Sequence, residues 1–278
     1  MTAALRWDGH DAAAPARRWG VPAVHPFLEI GSTNDIALAL ARDGAAHGTV
    51  VLAEAQTSGR GRSGRRWESP VGSGIWMSVV LRPGGGSAAV APLQVGRIVA
   101  SVVHQQHPTV QTRLKWPNDV LIDGRKVAGI LCESSGGSGG IDTLVVGVGI
   151  NTDHRAGPAL DAGLEGSATF ISLASGGPVD REALADEIVR EVIALEGARL
   201  ARLNAGDLSE IEGRDALRGQ RVRVELNGAP AEATALGIAA DGALLVRDGG
   251  GRERRVVAGS VRLVEDPRPV GAGKEEGR

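Results

Sequence analysis

One short stretch constrains this fold more than any other: the apolar run Val120-Leu121-Ile122, the dipeptide Asp123-Gly124, and a second run from Lys126 to Cys132. Asp-Gly between two strand-like runs is the strongest short-range signal for a two-residue β-hairpin, because both central residues of that turn need positive φ. The turn fixes the register. Ile122 pairs with Arg125 and Leu121 with Lys126, so Asp119, two residues back from Leu121, shares a face with Lys126. Their carboxylate and ammonium become diagonal neighbours. Taken singly, Asp119 reads as a turn residue and Lys126 as a solvated edge charge; the shared face makes the pair a candidate site. Asn118 points the other way unless the strand starts after it, which Pro117 permits.

Around this hairpin the chain alternates strand and helix patterns. Thr49 to Ala55, Ile75 to Leu81 and Leu144 to Ile150 read as strands. Ser32-Thr33-Asn34-Asp35 ahead of Ile36, Ala37 and Leu40, with Gly44 at the end, reads as a short helix opened by a capping box of Ser32 and Asp35. Pro92 to His104 carries Val95, Val99, Val102 and Val103 on one side, and Asp180 to about Leu203 carries Leu184, Ile188, Val192 and Leu195. From Leu217 the pattern becomes short alternating strands punctuated by Asn227-Gly228, Asp241-Gly242 and Asp248-Gly249, a small barrel-like module. The expected organisation is an arm over 1–24, a main α+β domain over 25–214, the β module over 215–266 and a polar tail over 267–278. Ser134 to Gly140 (SSGGSGG) is expected to be a flexible loop, with no functional reading.

A chain of 278 residues, 42% hydrophobic, can bury a substantial core. Its formal net charge of −2 argues against general adhesion to nucleic acid or membrane. The single cysteine, Cys132, sits in an apolar run and reads as a small core residue, so no disulfide framework exists and a cytoplasmic setting is expected. No apolar run is long enough to span a bilayer. The histidines His104, His107 and His154 have no metal-ligand spacing.

Against that near-neutral background, Thr57 to Trp67 (TSGRGRSGRRW) concentrates four arginines and three glycines without an acid. Gly59-x-Gly61-x-x-Gly64 formally matches a dinucleotide fingerprint, but Pro70, Gly72 and Gly74 follow where a helix must open, and a strand comes next. A P-loop needs Gly-Lys-Ser/Thr, and the chain has Gly64-Arg65-Arg66. What remains is a glycine-hinged cationic loop between two strands, suited to gripping carboxylate and phosphate bidentately in a reaction that joins two anions. An ordinary solvated loop is the alternative. Trp67 reads as core or, beside these arginines, as a platform for a base. Gly147 and Gly149 strip one face of a strand before Asn151, which implies either a ligand or backbone lying close, or a simple bulge.

Taken together, GSTN at Gly31 to Asn34, QTSGRGRSGRRW at Gln56 to Trp67, KWPNDV at Lys115 to Val120, KVAGIL at Lys126 to Leu131 and GVGIN at Gly147 to Asn151 resemble the biotin–protein ligases. The blocks stand in the family's order across residues 31–151. The resemblance implies a mixed β-sheet with flanking helices, like class II synthetases and lipoate ligases, followed by a small SH3-like β-barrel. It implies activation of biotin with ATP and Mg²⁺ to biotinoyl-5′-AMP and transfer to one lysine of a biotin carboxyl carrier domain of a biotin-dependent carboxylase.

By the same resemblance Ser32, Thr33, Asn34 and Gln56 bind biotin's ureido end and its surroundings, and Gly59, Arg60, Gly61 and Arg62 close over biotin and adenylate. Arg62, Arg65 and Trp67 serve the phosphates and adenine, with Lys115, Asn118 and Asn151 near the nucleotide. Lys126 contacts the carboxylate and α-phosphate; with Arg60, Arg62 and Asp119 it forms the expected catalytic set. Asp119 has two readings, as an Mg²⁺ ligand or as acceptor of the carrier lysine's proton, and its cationic neighbour favours the second. About 24 residues precede the fold, too few for the winged helix-turn-helix of bifunctional members, so the expectation is a ligase without specific DNA binding, with homodimerisation compatible. A lipoate or octanoate ligase or transferase of the same fold is the alternative enzyme, and a non-catalytic carrier-binding protein the alternative class.

Overall fold

A computed structural model describes residues 6–7, 10–11, 13–137, 140–155, 167–226 and 228–264. Two short strands, β1 (Arg6–Trp7) and β2 (His10–Asp11), and a helix α1 (Ala13–Trp19) lead into β3 (Val24–Ile30), helix α2 (Thr33–Arg42) and β4 (Val50–Gln56). Residues 1–24, expected as an arm, thus contribute two buried tryptophans: Trp7 and Trp19 meet edge to face at 6.4 Å, and the Arg181 guanidinium stacks over Trp7 at 5.2 Å. The arginine loop follows and contains one turn of 3₁₀ helix, Arg62–Gly64. Then come β5 (Gly74–Leu81), helix α3 (Ala91–Gln106), β6 (Thr112–Lys115), β7 (Asp119–Ile122), β8 (Arg125–Gly137) and β9 (Gly140–Asn151).

These strands form one seven-stranded sheet in the order β3-β4-β5-β9-β8-β7-β6. Only the β3–β4 pair is parallel, so the sheet is mixed as expected. Strand alternation divides its side chains between two helical layers. Val51, Val80 and Val145 pack under Ala37 and Ala41 of α2, while Val50, Leu52, Val79 and Leu81 join the larger core with Val95 and Val99 of α3. The larger core also takes Leu184, Ile188 and Val192 from α5 (Arg181–Ile193), which follows a short helix α4 (Ile171–Ser175).

The predicted hairpin forms in the expected register, Ile122 opposite Arg125 and Leu121 opposite Lys126, with φ of 50° at Asp123 and 74° at Gly124. An unexpected bulge follows. Val120 pairs with Ala128, so Val127 is the extra residue on β8. The bulge matters because Lys126 and Gly129, three apart and therefore on opposite faces of a regular strand, both come to the face of Asp119.

The helix expected from Asp180 to about Leu203 breaks after Ile193 and resumes as α6 (Gly197–Ala201). Gly197 is a poor helix former, and the bend lets Leu195, Leu200 and Leu203 all enter the core. Helix α7 (Ala205–Arg214) opens with a true capping box of Asn204 and Asp207. The expected Ser32–Asp35 box does not form: Ser32 is the N-cap of α2 but makes no side-chain cap bond.

Beyond α7, β10 (Arg221–Leu226), β11 (Ala229–Ile238), β12 (Leu244–Asp248), β13 (Glu253–Val256) and β14 (Arg262–Leu263) build an SH3-like antiparallel sheet in the order β13-β12-β11-β10-β14. Its end strand β13 also lies close to β10, so the sheet curls back on itself. Asn227 and the polar tail lie outside the described residues. The Trp116 indole donates to the Gly242 carbonyl at 2.8 Å and fixes this sheet against the main one. Among the described residues no helix is long and apolar enough to cross a membrane.

Candidate active site

One cleft gathers the start of α2, the end of β4, the arginine loop, and the facing stretches of β8 and β9. Its floor is a continuous polar chain. The Thr33 backbone amide and hydroxyl donate to Gln56 Oε1 at 2.8 and 3.2 Å, and Gln56 Nε2 donates to Ser69 Oγ at 2.8 Å. Ser78 Oγ lies 2.8 Å from Thr33 Oγ1 and donates to Asn34 Oδ1 at 2.6 Å. That bond orients the amide, so Asn34 Nδ2 donates to Glu133 Oε2 at 2.7 Å. Ser32, Thr33 and Asn34 are all buried at the N-terminus of α2. A floor of fixed donors and acceptors in a buried setting selects a ligand of complementary polarity.

The paired glycines of β9 have a definite occupant. A Cβ on Gly147 would stand 2.2 Å from Asn34 Oδ1, and one on Gly149 would stand 2.7 Å from Trp67 Cε2. Gly129 of β8, opposite Gly149, would likewise bring a Cβ to 3.0 Å from the Trp67 ring. The stripped face therefore seats two side chains of the site, which replaces the expectation of a ligand or backbone lying on it and excludes a bulge there. Trp67 is held edge-on by Trp76 at 6.3 Å, and Lys126 Nζ lies 5.0 Å over its ring. Its buried Nε1 has no hydrogen-bond partner. The ring lines both of two adjoining hollows.

Lys126 Nζ and Asp119 Oδ1 form the expected ion pair at 2.6 Å. Asn118 precedes β7, so strand alternation does not turn it away: it lines the same cleft, donates to the Ile130 carbonyl at 2.8 Å and lies 3.5 Å from Arg62 Nη1. Arg65, Trp67, Lys126 and Asn151 line the adjoining hollow, where Asn151 donates to the Thr169 carbonyl. Gly59 packs its Cα against the Trp67 carbonyl so closely that a Cβ would stand 2.4 Å from it. Lys115, half-buried on β6 opposite Asp119, lines neither hollow.

The loop arginines find acids from outside the loop. Arg60 Nη2 lies 2.7 Å from both Asp35 Oδ1 and Glu133 Oε2, and Arg66 pairs with Glu68 at 3.2 Å. Among the described residues Arg62 and Arg65 form no ion pair, which leaves two guanidinium groups at the cleft for anions. Ser69, Ser78 and Glu133 are site residues absent from the sequence reading. Glu133 alone leaves a local signal, a single charge closing the apolar run of β8. Burial pushes the Cys132 thiol up to about 12, against a smaller opposing pull from Arg62, and the half-buried side chain packs at the edge of the main core rather than inside it. No three His, Cys, Asp or Glu side chains cluster to hold a metal among the described residues. Mg²⁺ commonly uses one or two carboxylates with substrate phosphates; Asp119, the carboxylate expected there, is held by Lys126 and lines neither hollow.

A mixed sheet with this cleft, followed by a small antiparallel sheet, defines a class: residues 29–151 match the biotin/lipoate A/B protein ligase family, and residues 218–264 match the biotin protein ligase C terminal domain. The biotin--[acetyl-CoA-carboxylase] ligase of Paracoccus denitrificans is 37% identical over 236 residues, covering 80% of this chain and 93% of that protein. The chain belongs to the biotin protein ligase family. A bifunctional ligase/repressor BirA of Bacillus spizizenii is 39% identical over 161 residues, 58% of this chain and 49% of that protein, so the chain spans about half the length of that relative. Among solved structures, the biotin protein ligase from Aquifex aeolicus in complex with biotin and ATP superposes with a TM-score of 0.72 at 26% identity, over 87% of this chain and 99% of that one.

Proposed function

We propose that this protein activates biotin with ATP and transfers it to a lysine of a biotin carboxyl carrier domain. The observation that carries the reading is the meeting, in one cleft, of a fixed polar floor with Lys126, Arg62 and the orphaned Trp67 indole. Thr33, Asn34 and Gln56, with Ser32 beside them, take the ureido end of biotin. Its carboxylate then points toward Lys126. A carboxylate oxygen attacks the α-phosphorus, the new O–P bond forms as the bond to the β-phosphate oxygen breaks, and pyrophosphate leaves. Lys126 and Arg62 neutralise the two anions as they approach, with Arg60 and the loop glycines covering them.

Arg65, Trp67, Asn118 and Asn151 hold the nucleotide, with Lys115 at the outer edge. Asn118 and Asn151 would lie near Mg²⁺, which when bound supplies neutralising charge to the phosphates. In the second half-reaction the carrier lysine's neutral amine attacks the acyl carbon and AMP leaves; Asp119 accepts the proton the amine sheds. The main domain over 25–214 performs both steps and the SH3-like domain over 215–266 braces it through Trp116. Incubation with a carrier domain, ATP, Mg²⁺ and labelled biotin or lipoate tests the reading. Biotin label on the carrier lysine is expected; lipoate label instead would make it a lipoate ligase, and carrier binding without transfer would make it a binding protein.

A further inference from the structure

The arginine loop is tied shut by acids that lie outside the loop. Within the loop, Gly61 donates to the Arg65 carbonyl at 2.7 Å and Trp67 to the Gly59 carbonyl at 2.9 Å, so the segment is a small hairpin of its own. Trp67 seats one end of that hairpin on β8 and β9, and its arginine-bearing strand is fastened by Arg60, whose Nη2 sits between Asp35 on the first turn of α2 and Glu133 on β8, at 2.7 Å from each carboxylate. The same Oε2 of Glu133 also accepts from Asn34 in the cleft floor at 2.7 Å. We propose that Glu133, supported by Asp35, is a clasp: a positioning residue that holds the arginine loop closed through Arg60 and registers it to the floor through Asn34.

Three arguments support the assignment. Four guanidiniums in eleven residues repel one another, and the loop's own residues offer no acid, so closure needs carboxylates from elsewhere. Glu133 is about a quarter exposed and Asp35 more than half, so the inner carboxylate works at the lower dielectric and carries more of the hold. The single oxygen shared by Arg60 and Asn34 couples loop and floor, so disturbance at one end reaches the other through one atom. On the proposed function, a closed loop keeps the mixed anhydride from water and from escape until the carrier arrives.

Limited trypsin digestion of the full chain without ligand tests the clasp independently of that function. Glu133→Gln keeps an acceptor for Asn34 and removes the negative charge that faces Arg60; cleavage between Arg60 and Arg66 should accelerate about five- to tenfold. Asp35→Asn, at a more exposed position, should accelerate it less, and Glu133→Asp should restore part of the protection. Thermal melting of each variant confirms intact folding. Loop cleavage at the wild-type rate in both Glu133→Gln and Asp35→Asn would overturn the clasp. A second measurement, release of acyl-adenylate in a single turnover without carrier, should rise relative to its synthesis in Glu133→Gln; equal loss of synthesis and release would mean a merely structural role. Wild-type protein that makes no adenylate would sink the proposed function and leave the digestion result standing.

Discussion

Adding one methyl group to either glycine of the GVGIN strand should damage the two substrates separately. In Gly149→Ala the new Cβ would stand 2.7 Å from Trp67 Cε2 and 2.8 Å from its Nε1, against an ordinary carbon contact of about 3.5–4.0 Å. The ring must therefore move by about 1 Å. Ala cannot be absorbed by the strand, because Gly149 is paired on both sides, to Trp76 and to Gly129. Trp76 also blocks the ring edge-on, so Trp67 shifts toward the hollow where the nucleotide is proposed to bind. A displacement of that size in a positioning group can cost on the order of 100-fold in rate, and the overpacking itself costs about 1–3 kcal/mol of stability.

Gly147→Ala acts at the other end, with a Cβ at 2.2 Å from Asn34 Oδ1 and 2.9 Å from its Cγ. Asn34 is held by Ser78 and Glu133, so its displacement unsettles the floor rather than the nucleotide side. Biotin-dependent pyrophosphate exchange, with ATP and biotin varied in turn, separates the two. Gly149→Ala should lose about 100-fold in kcat/KM for ATP and less than tenfold for biotin, and Gly147→Ala the reverse, after thermal melting confirms a folded protein. Equal losses for both substrates in both variants would refute the division of the cleft.

Lys126→Ala should lower adenylate formation by about 100-fold or more, measured as pyrophosphate release, since it removes one preorganised cation from the approach of two anions. Asp119→Asn should slow transfer to the carrier more than adenylate formation, with transfer partly recovered at higher pH; collapse of adenylate formation first would favour the Mg²⁺ role. Asp215, between α7 and β10, is a third target: burial raises its pKa, against hydrogen bonds from the Leu217 and Arg218 backbone amides. A folded pKa above the unfolded value means that the native state binds the proton more tightly, so this carboxyl costs stability as pH rises above the ordinary carboxylate range. Asp215→Asn should thus be more stable than the wild type in urea unfolding at pH 8, with the gain shrinking as pH falls through the ordinary carboxylate range.

What the sequence discloses about this site follows the range of the interaction involved. The Lys126–Asp119 pair is legible because a two-residue turn fixes register over a handful of positions, and the extra residue Val127 leaves Lys126 on the expected face. The resemblance carries Thr33, Asn34 and Gln56 to the same cleft without indicating that they bond to one another through Ser78 and Ser69, which stand in strand and loop stretches of no special pattern. Trp7 and Trp19 hide in a segment whose Ala, Pro and Arg content has no period, since a seven-residue helix is too short to display one. The cationic loop is the sharpest case. Counting acids along Thr57 to Trp67 finds none and implies an open, self-repelling segment, but charge balance is a property of space: Asp35 lies before the loop and Glu133 far beyond it, and the sheet brings both to Arg60. The absence of local acids therefore marks the loop as one that must be closed by tertiary contacts, and those contacts, being few, can also be released.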